Sequence, residues 1–370
     1  MASSRGCAIT TFKHSEGVII MKKAMKKLGL SLCLLASLGL AAGCGNNGNN
    51  EQQSQTPAPQ ETQETDKTIN LGILQFADHG SLDNCRIGFI EGLKQGGYEE
   101  GKNLKINLSN AQSEPGTAGQ IADQFVSNNV DMICAIATPA AQAAFNASED
   151  KGIPVIYTAV SDPIGAQLAN DDKTSGKNVT GTSDELPLEK QVEMIRAFLP
   201  EAKTIGILYS TSEVNSESQI ALLEPIAEKY GFTLETIGIN SQADIPMAVD
   251  NLLTKVDCIN NLTDNTVVTS LSVILEKATA KGIPVFGSEI EQVKLGCVAS
   301  ESIDYVKLGI QTGKMAARVL DGEDITTIPF EVVQDFEPVI NSEKLAELGI
   351  AVPEAITNAV DVSAEEKAAE

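Results

Sequence analysis

The feature that most restricts the fold is an internal repeat. Gly72-Ile73-Leu74-Gln75 is matched by Gly206-Ile207-Leu208-Tyr209, and Val130-Asp131-Met132-Ile133 by Val256-Asp257-Cys258-Ile259. Lys151-Gly152-Ile153-Pro154-Val155 is matched by Lys281-Gly282-Ile283-Pro284-Val285. The three pairs keep the same order, so they mark a duplicated unit. Around them, apolar runs at 69–76, 104–108, 132–137 and 155–159 alternate with helical stretches at 81–96, 116–128 and 140–151. The second half repeats the rhythm, with runs at 204–209, 233–237, 258–262 and 285–286 and helical stretches at 216–230, 244–253 and 267–281. Alternating strands and helices imply parallel sheets wrapped by helices. The expectation is an α/β protein of two Rossmann-like, doubly wound lobes.

The end of the chain links the halves. Val306, Ile310, Gly313, Ala317 and Leu320 recur at steps of four, three, four and three, one face of a helix. Pro329–Phe336 reads as a strand. A late helix and strand that return one to each lobe give a three-crossing hinge. The expected limits are 68–182 plus 297–324 for lobe one and 183–296 plus 325–360 for lobe two, with 361–370 as a tail.

The first 43 residues differ in chemistry from the rest. Lys22, Lys23, Lys26 and Lys27 precede an apolar run from Leu28 to Ala42, too short for a comfortable membrane span and laid out like a secretory signal. Met21 or Met25 is the expected start, because residues 1–20 do not look like the head of such a signal. The run ends in Leu40-Ala41-Ala42-Gly43-Cys44, which resembles the lipobox of bacterial lipoproteins, with Ala41 where Leu is most usual. That resemblance implies cleavage before Cys44, lipidation of its thiol and a membrane anchor. Residues 44–67 are Asn, Gln, Gly, Pro, Ser, Thr and Glu with almost no apolar side chain, a composition that reads as a flexible tether.

Charge excludes one class of partner. The chain carries 27 Lys+Arg against 50 Asp+Glu, a net −23. Six of the basic residues and one acid lie in residues 1–43, leaving 21 against 49, or −28, from Cys44 onward. Nucleic acid is excluded as a partner, since phosphate binding needs a basic face. Four cysteines follow Cys44, namely Cys85, Cys134, Cys258 and Cys297, with no CxxC pair, and a disulfide framework is not expected. Neither metal nor cofactor is expected. An enzyme is not expected either: His79 is the one histidine after the leader, and no nucleophile elbow, Walker A, HExxH or GxGxxG motif occurs.

Ligands of doubly wound sheets bind beyond the carboxyl ends of the strands. The candidate rim of lobe one is Gln75, Phe76 and His79, then Thr138, Pro139, Ala140 and Gln142, then Ser161 and Asp162, with Ser183 and Asp184 at the lobe boundary. Lobe two offers Tyr209, Ser210 and Ser216, then Thr263, Asp264, Asn265 and Thr266, then Ser288 and Glu289. Thr138 and Pro139 suit a helix start whose free N–H groups favour a carboxylate. Asp264 is placed to accept an ammonium, or else to cap its own helix. Phe76 and Tyr209 could line an apolar part of the site or pack in the core. Arg86, Arg196 and Arg318 all fall inside helical stretches, which disfavours phosphates and dicarboxylates and favours a zwitterion.

From Ile69 to Ile356 the chain resembles the ABC transporter substrate-binding lipoproteins that bind tryptophan or tyrosine. The matching segments include Gly72–Phe76, Ile136–Gln142, Val160–Pro163, Asn178–Asp184, Ile207–Glu213 with Asn215, Asp264–Val267, Leu308-Gly309 and Thr312–Met315. The resemblance implies a type I periplasmic binding protein fold, an aromatic amino acid ligand, a partner permease with its ATPase, and an extracytoplasmic, lipid-anchored protein, expected to be a monomer. Two other readings use the same architecture: a receptor for a branched amino acid or nucleoside, and a sensory or regulatory lobe pair. A DNA-binding regulator would carry an N-terminal helix-turn-helix, where this chain has the signal-like run and Cys44.

Overall fold

The computed structural model describes residues 68–356 and 358–363. The expected leader, Cys44 and the tether lie outside the described residues. The first half runs β1 (Ile69–Gln75), α1 (Gly80–Gln95), β2 (Leu104–Asn110), α2 (Pro115–Ser127), β3 (Met132–Ile136), α3 (Thr138–Ser148), β4 (Val155–Thr158) and β5 (Val179–Ser183). The second runs α4 (Leu188–Phe198), β6 (Thr204–Ser210), α5 (Val214–Lys229), β7 (Thr233–Ile239), α6 (Ile245–Leu252), β8 (Cys258–Asn260), α7 (Asn265–Thr269), α8 (Leu271–Ala280), β9 (Val285–Phe286), α9 (Ile290–Leu295) and β10 (Ala299–Ser302). The chain closes with α10 (Tyr305–Leu320), β11 (Glu331–Val332), β12 (Glu337–Ile340), α11 (Ser342–Glu347) and β13 (Val360–Asp361).

Lobe one is an all-parallel sheet in the order β11-β5-β4-β3-β1-β2. Lobe two repeats its centre as β7-β6-β8-β9. In each sheet the first strand lies between the second and third, so strand order reverses beside it, and a ligand crevice forms at that reversal.

The repeated segments are explained by shared mechanical roles. Gly72 on β1 lets α2 close down, because a Cβ there would meet the Phe125 ring at 2.6 Å; Gly206 on β6 faces Leu252 and Val256 of the equivalent helix. Asp131 Oδ2 accepts from the Asn70 N–H at 2.8 Å, and Asp257 Oδ2 from those of Lys203 and Thr204 at 2.7 and 2.9 Å, so each aspartate pins the start of its lobe's first strand. Gly152 and Gly282 both take left-handed backbone, at φ 65° and 68°, where the chain leaves a helix for a strand.

Lobe boundaries differ from the expected ones in a systematic way. Residues 299–302 pair antiparallel with β12, and Cys297 and Val298 belong to the lobe-two cores, so the crossing expected at 297 falls after Ser302. Both the late helix and β11 return to lobe one: β11 pairs with β5, and Tyr305, Leu308 and Ala316 join the lobe-one core. The strand expected over 329–336 is confined to β11 in lobe one, and a further strand, β12, follows that span in lobe two. β13 pairs with β12 and Val362 is buried, so the ordered body extends past the limit expected at 360. The helix expected over 267–281 is broken at Ser270 into α7 and α8.

The α1–α10 contact ties the hinge to lobe one. Gly88, Gly92 and Gly96 stand at steps of four on α1 and face Gly309, Gly313 and Ala317 on α10. A Cβ on Gly309 would fall on the Cys85 carbonyl oxygen, and one on Gly313 on that of Phe89, so the two backbones touch without side chains between them.

Candidate ligand-binding site

The facing rims of the two lobes enclose a cavity. Lobe one contributes His79 from the β1–α1 loop, Ser81 and Leu82 from the start of α1, Ala159 and Ser161 after β4, and Asp184 after β5. Lobe two contributes Asn215 on α5, Thr263, Asn265 and Val268 around α7, and Glu289 and Gln292 at α9, with Tyr305 at the head of α10. The enclosed space is about 20 Å³, room for little more than one water. An amino acid therefore enters only if the lobes separate. They are held together at the rim by His79 Nε2···Asn265 Oδ1 at 3.3 Å and Ser161 Oγ···Thr263 Oγ1 at 3.2 Å. Outside the cavity, Asn84 Nδ2 donates to Glu291 Oε1 at 3.2 Å across the same gap. Ala137 and Ala159, following β3 and β4, take positive φ of 84° and 55°, strain of the kind that collects at functional rims.

The cavity is acidic and shielded from solvent. Asp184 is 2% exposed and Glu289 is 1% exposed, and no Lys or Arg lines the space. Burial raises the Asp184 carboxyl, partly offset by the Tyr305 hydroxyl that donates to Oδ2 at 2.7 Å. Burial likewise pushes Glu289 up to about 7. His79 is pushed the other way, below the usual imidazole value, because burial disfavours its charged form. Three buried polar atoms on this cavity have no hydrogen-bond partner within the chain: His79 Nδ1, Asp184 Oδ1 and Asn215 Oδ1. Among the described residues no cluster of His, Cys, Asp and Glu could hold a metal ion, and no helix is long and apolar enough to cross a membrane.

The model of the ABC transporter substrate binding protein family matches residues 70–364. The chain belongs to that family. It is 39% identical to a tyrosine-binding protein of Clostridioides difficile (strain R20291) over 330 residues, covering 89% of this chain and 93% of that one. It superposes on the L-Trp complex of an ABC domain from Streptococcus pneumonia with a TM-score of 0.76 at 38% identity, over 79% of this chain and 99% of that one. It also superposes on the ligand-free, open structure of a substrate-binding protein with adhesive properties from Clostridium difficile, with a TM-score of 0.60 at 39% identity, over 80% and 99%.

Six of the expected rim residues meet on the cavity: His79, Ser161, Asp184, Thr263, Asn265 and Glu289. Others serve the scaffold of this substrate-binding protein. Asp264, expected to hold an ammonium, is turned inward. Its Oδ1 accepts from the Val267 N–H at 2.9 Å as the cap of α7, and its Oδ2 from the Ser210 N–H and Ser216 Oγ, both at 2.6 Å. That arrangement also explains Ser210 and Ser216. Burial, with Glu213 close by, pushes the Asp264 carboxyl well up. Phe76 is fully buried in the lobe-one core, and Tyr209 lies against Gly238 on β7. Gln75 bonds Ala77, Asp83 and Arg86; Gln142 Nε2 donates to the Ala166 carbonyl; Asp162 Oδ1 accepts from the Gly165 N–H. Ser183 Oγ donates to the Ser161 carbonyl, and Ser288 Oγ to that of Asn261. Thr138, Pro139 and Ala140 are buried at the start of α3, off the cavity, and the Thr138 hydroxyl has no partner.

Glu213, ahead of α5, lies behind the cavity and is absent from the expected rim. It is fully buried. Its Oε2 accepts from Asn265 N at 3.0 Å, Asn265 Nδ2 at 2.7 Å and Asn215 Nδ2 at 3.3 Å. Its Oε1 accepts from Thr266 N and Oγ1 at 2.8 and 2.9 Å. Tyr305, one position ahead of the helical face that starts at Val306, is also absent from the expected rim. Both residues precede or open a helix, and a capping position carries no mark that distinguishes it from a site position.

Proposed function

We propose that this protein captures an aromatic amino acid, tryptophan, tyrosine or phenylalanine, between its lobes and delivers it to an ABC permease and its ATPase. The observation that carries this reading is the set of three buried, unpartnered polar atoms on one cavity, drawn from both lobes. Buried polar atoms in native proteins have partners, and a ligand ammonium supplies N–H donors for them. Asp184, with one oxygen open and no competing cation, takes the ammonium role first expected of Asp264. The names of the relatives support an aromatic side chain. The signal-like run, Cys44 and the polar stretch after it support an extracytoplasmic protein tethered by a lipidated cysteine.

Calorimetry with L-tryptophan, L-tyrosine and L-phenylalanine, with L-leucine and a nucleoside as contrasts, tests the reading. At least one aromatic amino acid should bind. Asp184→Asn keeps the acceptor for Tyr305 and removes the charge, and should cost on the order of 2–5 kcal/mol of binding, as for one partner of a buried charged pair. Binding of leucine or the nucleoside alone would replace the aromatic ligand, and unchanged affinity in Asp184→Asn would remove the ammonium role.

A further inference from the structure

We infer that Glu213, which does not itself line the cavity, sets the hydrogen-bond polarity of the site, so that His79, Asn215 and Asp184 all present acceptors to the captured group. The inference rests on reading this cavity as the ligand site. The argument runs outward from one carboxylate. A carboxylate only accepts, so the side-chain atoms that Asn265 and Asn215 direct at Glu213 are their NH₂ groups, at 2.7 and 3.3 Å. A planar amide that points its nitrogen one way points its oxygen the other. Asn215 Oδ1 is thereby held on the cavity, where it has no partner. Asn265 Oδ1 is held toward lobe one, where it lies 3.3 Å from His79 Nε2.

An amide oxygen cannot donate, so His79 Nε2 carries the hydrogen in that bond. A neutral imidazole has one N–H, which leaves Nδ1 as a bare lone pair. The ring is neutral because burial lowers its proton affinity, even with Glu213, Asp83 and Asp78 pulling the other way. His79 Nδ1 has no partner within the chain, and the same holds for Asp184 Oδ1. The cavity thus offers three acceptors and no opposing donor among them, and the group it selects carries N–H or O–H hydrogens. Glu213 acts through its neighbours and is a positioning residue. The Glu213–Asn265–His79 chain also crosses between the lobes, so the tautomer is imposed only when they are closed.

The tautomer of His79 is directly observable. Two-bond proton–nitrogen correlation spectra of the full chain separate a protonated ring nitrogen from a bare one, and only His14 and His79 contribute, with His79→Gln assigning the signal. The wild type in its closed form should show Nε2 protonated and Nδ1 bare. In Glu213→Gln the new NH₂ turns the Asn265 amide over, its nitrogen then faces His79 Nε2, and the hydrogen should move to Nδ1. Affinity for whichever aromatic amino acid binds the wild type should fall tenfold or more, since a donor then faces a donor. Asn265→Ala, which leaves Glu213 and its backbone donors in place, should release the ring into a mixture of both tautomers. Nδ1 protonated in the wild type would overturn the inference, as would a wild-type tautomer retained in both variants. Loss of affinity in Glu213→Gln with the tautomer unmoved would reduce Glu213 to a structural role. Spectra recorded with and without the ligand separate the closed from the open form, and failure of the amino acid reading appears separately, as absence of binding to the wild type in calorimetry.

Discussion

Glu289 holds two roles that pull its carboxyl in opposite directions. It caps α9, accepting from the Glu291 and Gln292 N–H groups at 2.7 and 2.8 Å, which favours the charged form. It is also buried on the cavity, which disfavours that form and wins, pushing the carboxyl from 4.5 up to about 7. A carboxyl raised in the folded state stabilises the fold only while it is protonated. Its contribution is complete below about pH 4.5 and is lost as pH rises through about 7. The shift corresponds to about 3 kcal/mol. Asp184 and Asp264 are raised as well and act with the same sign. The thermal midpoint should therefore fall between pH 5 and pH 8, and Glu289→Gln, which keeps a capping oxygen, should flatten that slope; equal slopes in the two proteins would refute the assignment. Which rim residues reach the cavity was only partly legible in the sequence. Strand ends named His79, Ser161, Asp184, Thr263, Asn265 and Glu289 because ligands collect there. They could not separate Asp264 from Asn265, since the neighbour that turns Asp264 inward, Ser210, lies 54 positions away.

Helices α1 and α10 meet backbone to backbone, and that seam makes a sharp prediction. Gly309→Ala places a methyl group against the Cys85 carbonyl, where nothing flexible can yield, and should cost about 1–3 kcal/mol in urea unfolding. Gly119→Ala on α2 meets nothing within 4 Å and should be neutral or mildly stabilising, because alanine is the better helix former. Equal effects at the two positions would mean that the seam is not tight. The periodicity of α10 was readable, because its apolar face recurs every three to four residues, and the repeat located both lobes. The lobe that α10 joins was not readable. A run of small residues states that something comes close and does not say what. The break at Ser270 was also hidden, since the helical spacing of apolar residues resumes at Leu271 after only two polar positions.

At the scale of the whole molecule, charge bears on the proposed anchor. The −28 carried from Cys44 onward repels anionic lipid, so the proposed retention at a membrane would require a covalent anchor. Cys44→Ser should release the protein from the membrane fraction or leave it as a longer precursor, and absence of an acyl chain on the wild type by mass spectrometry would remove the anchor from the account. Closure has a similar economy, since the contacts that hold the lobes shut are few and polar. The glycine seam has a last consequence, in the time order of folding. Gly88 and Gly309 are 221 positions apart, and most of lobe two, from α4 to β10, is synthesised between them. Until α10 emerges, the bare face of α1 has no partner, and lobe one lacks both its covering helix and its edge strand β11. Contacts this distant in sequence are slow to form. The lobe begun first thus waits for α10 and β11, and neither lobe is complete until nearly all of the chain is available.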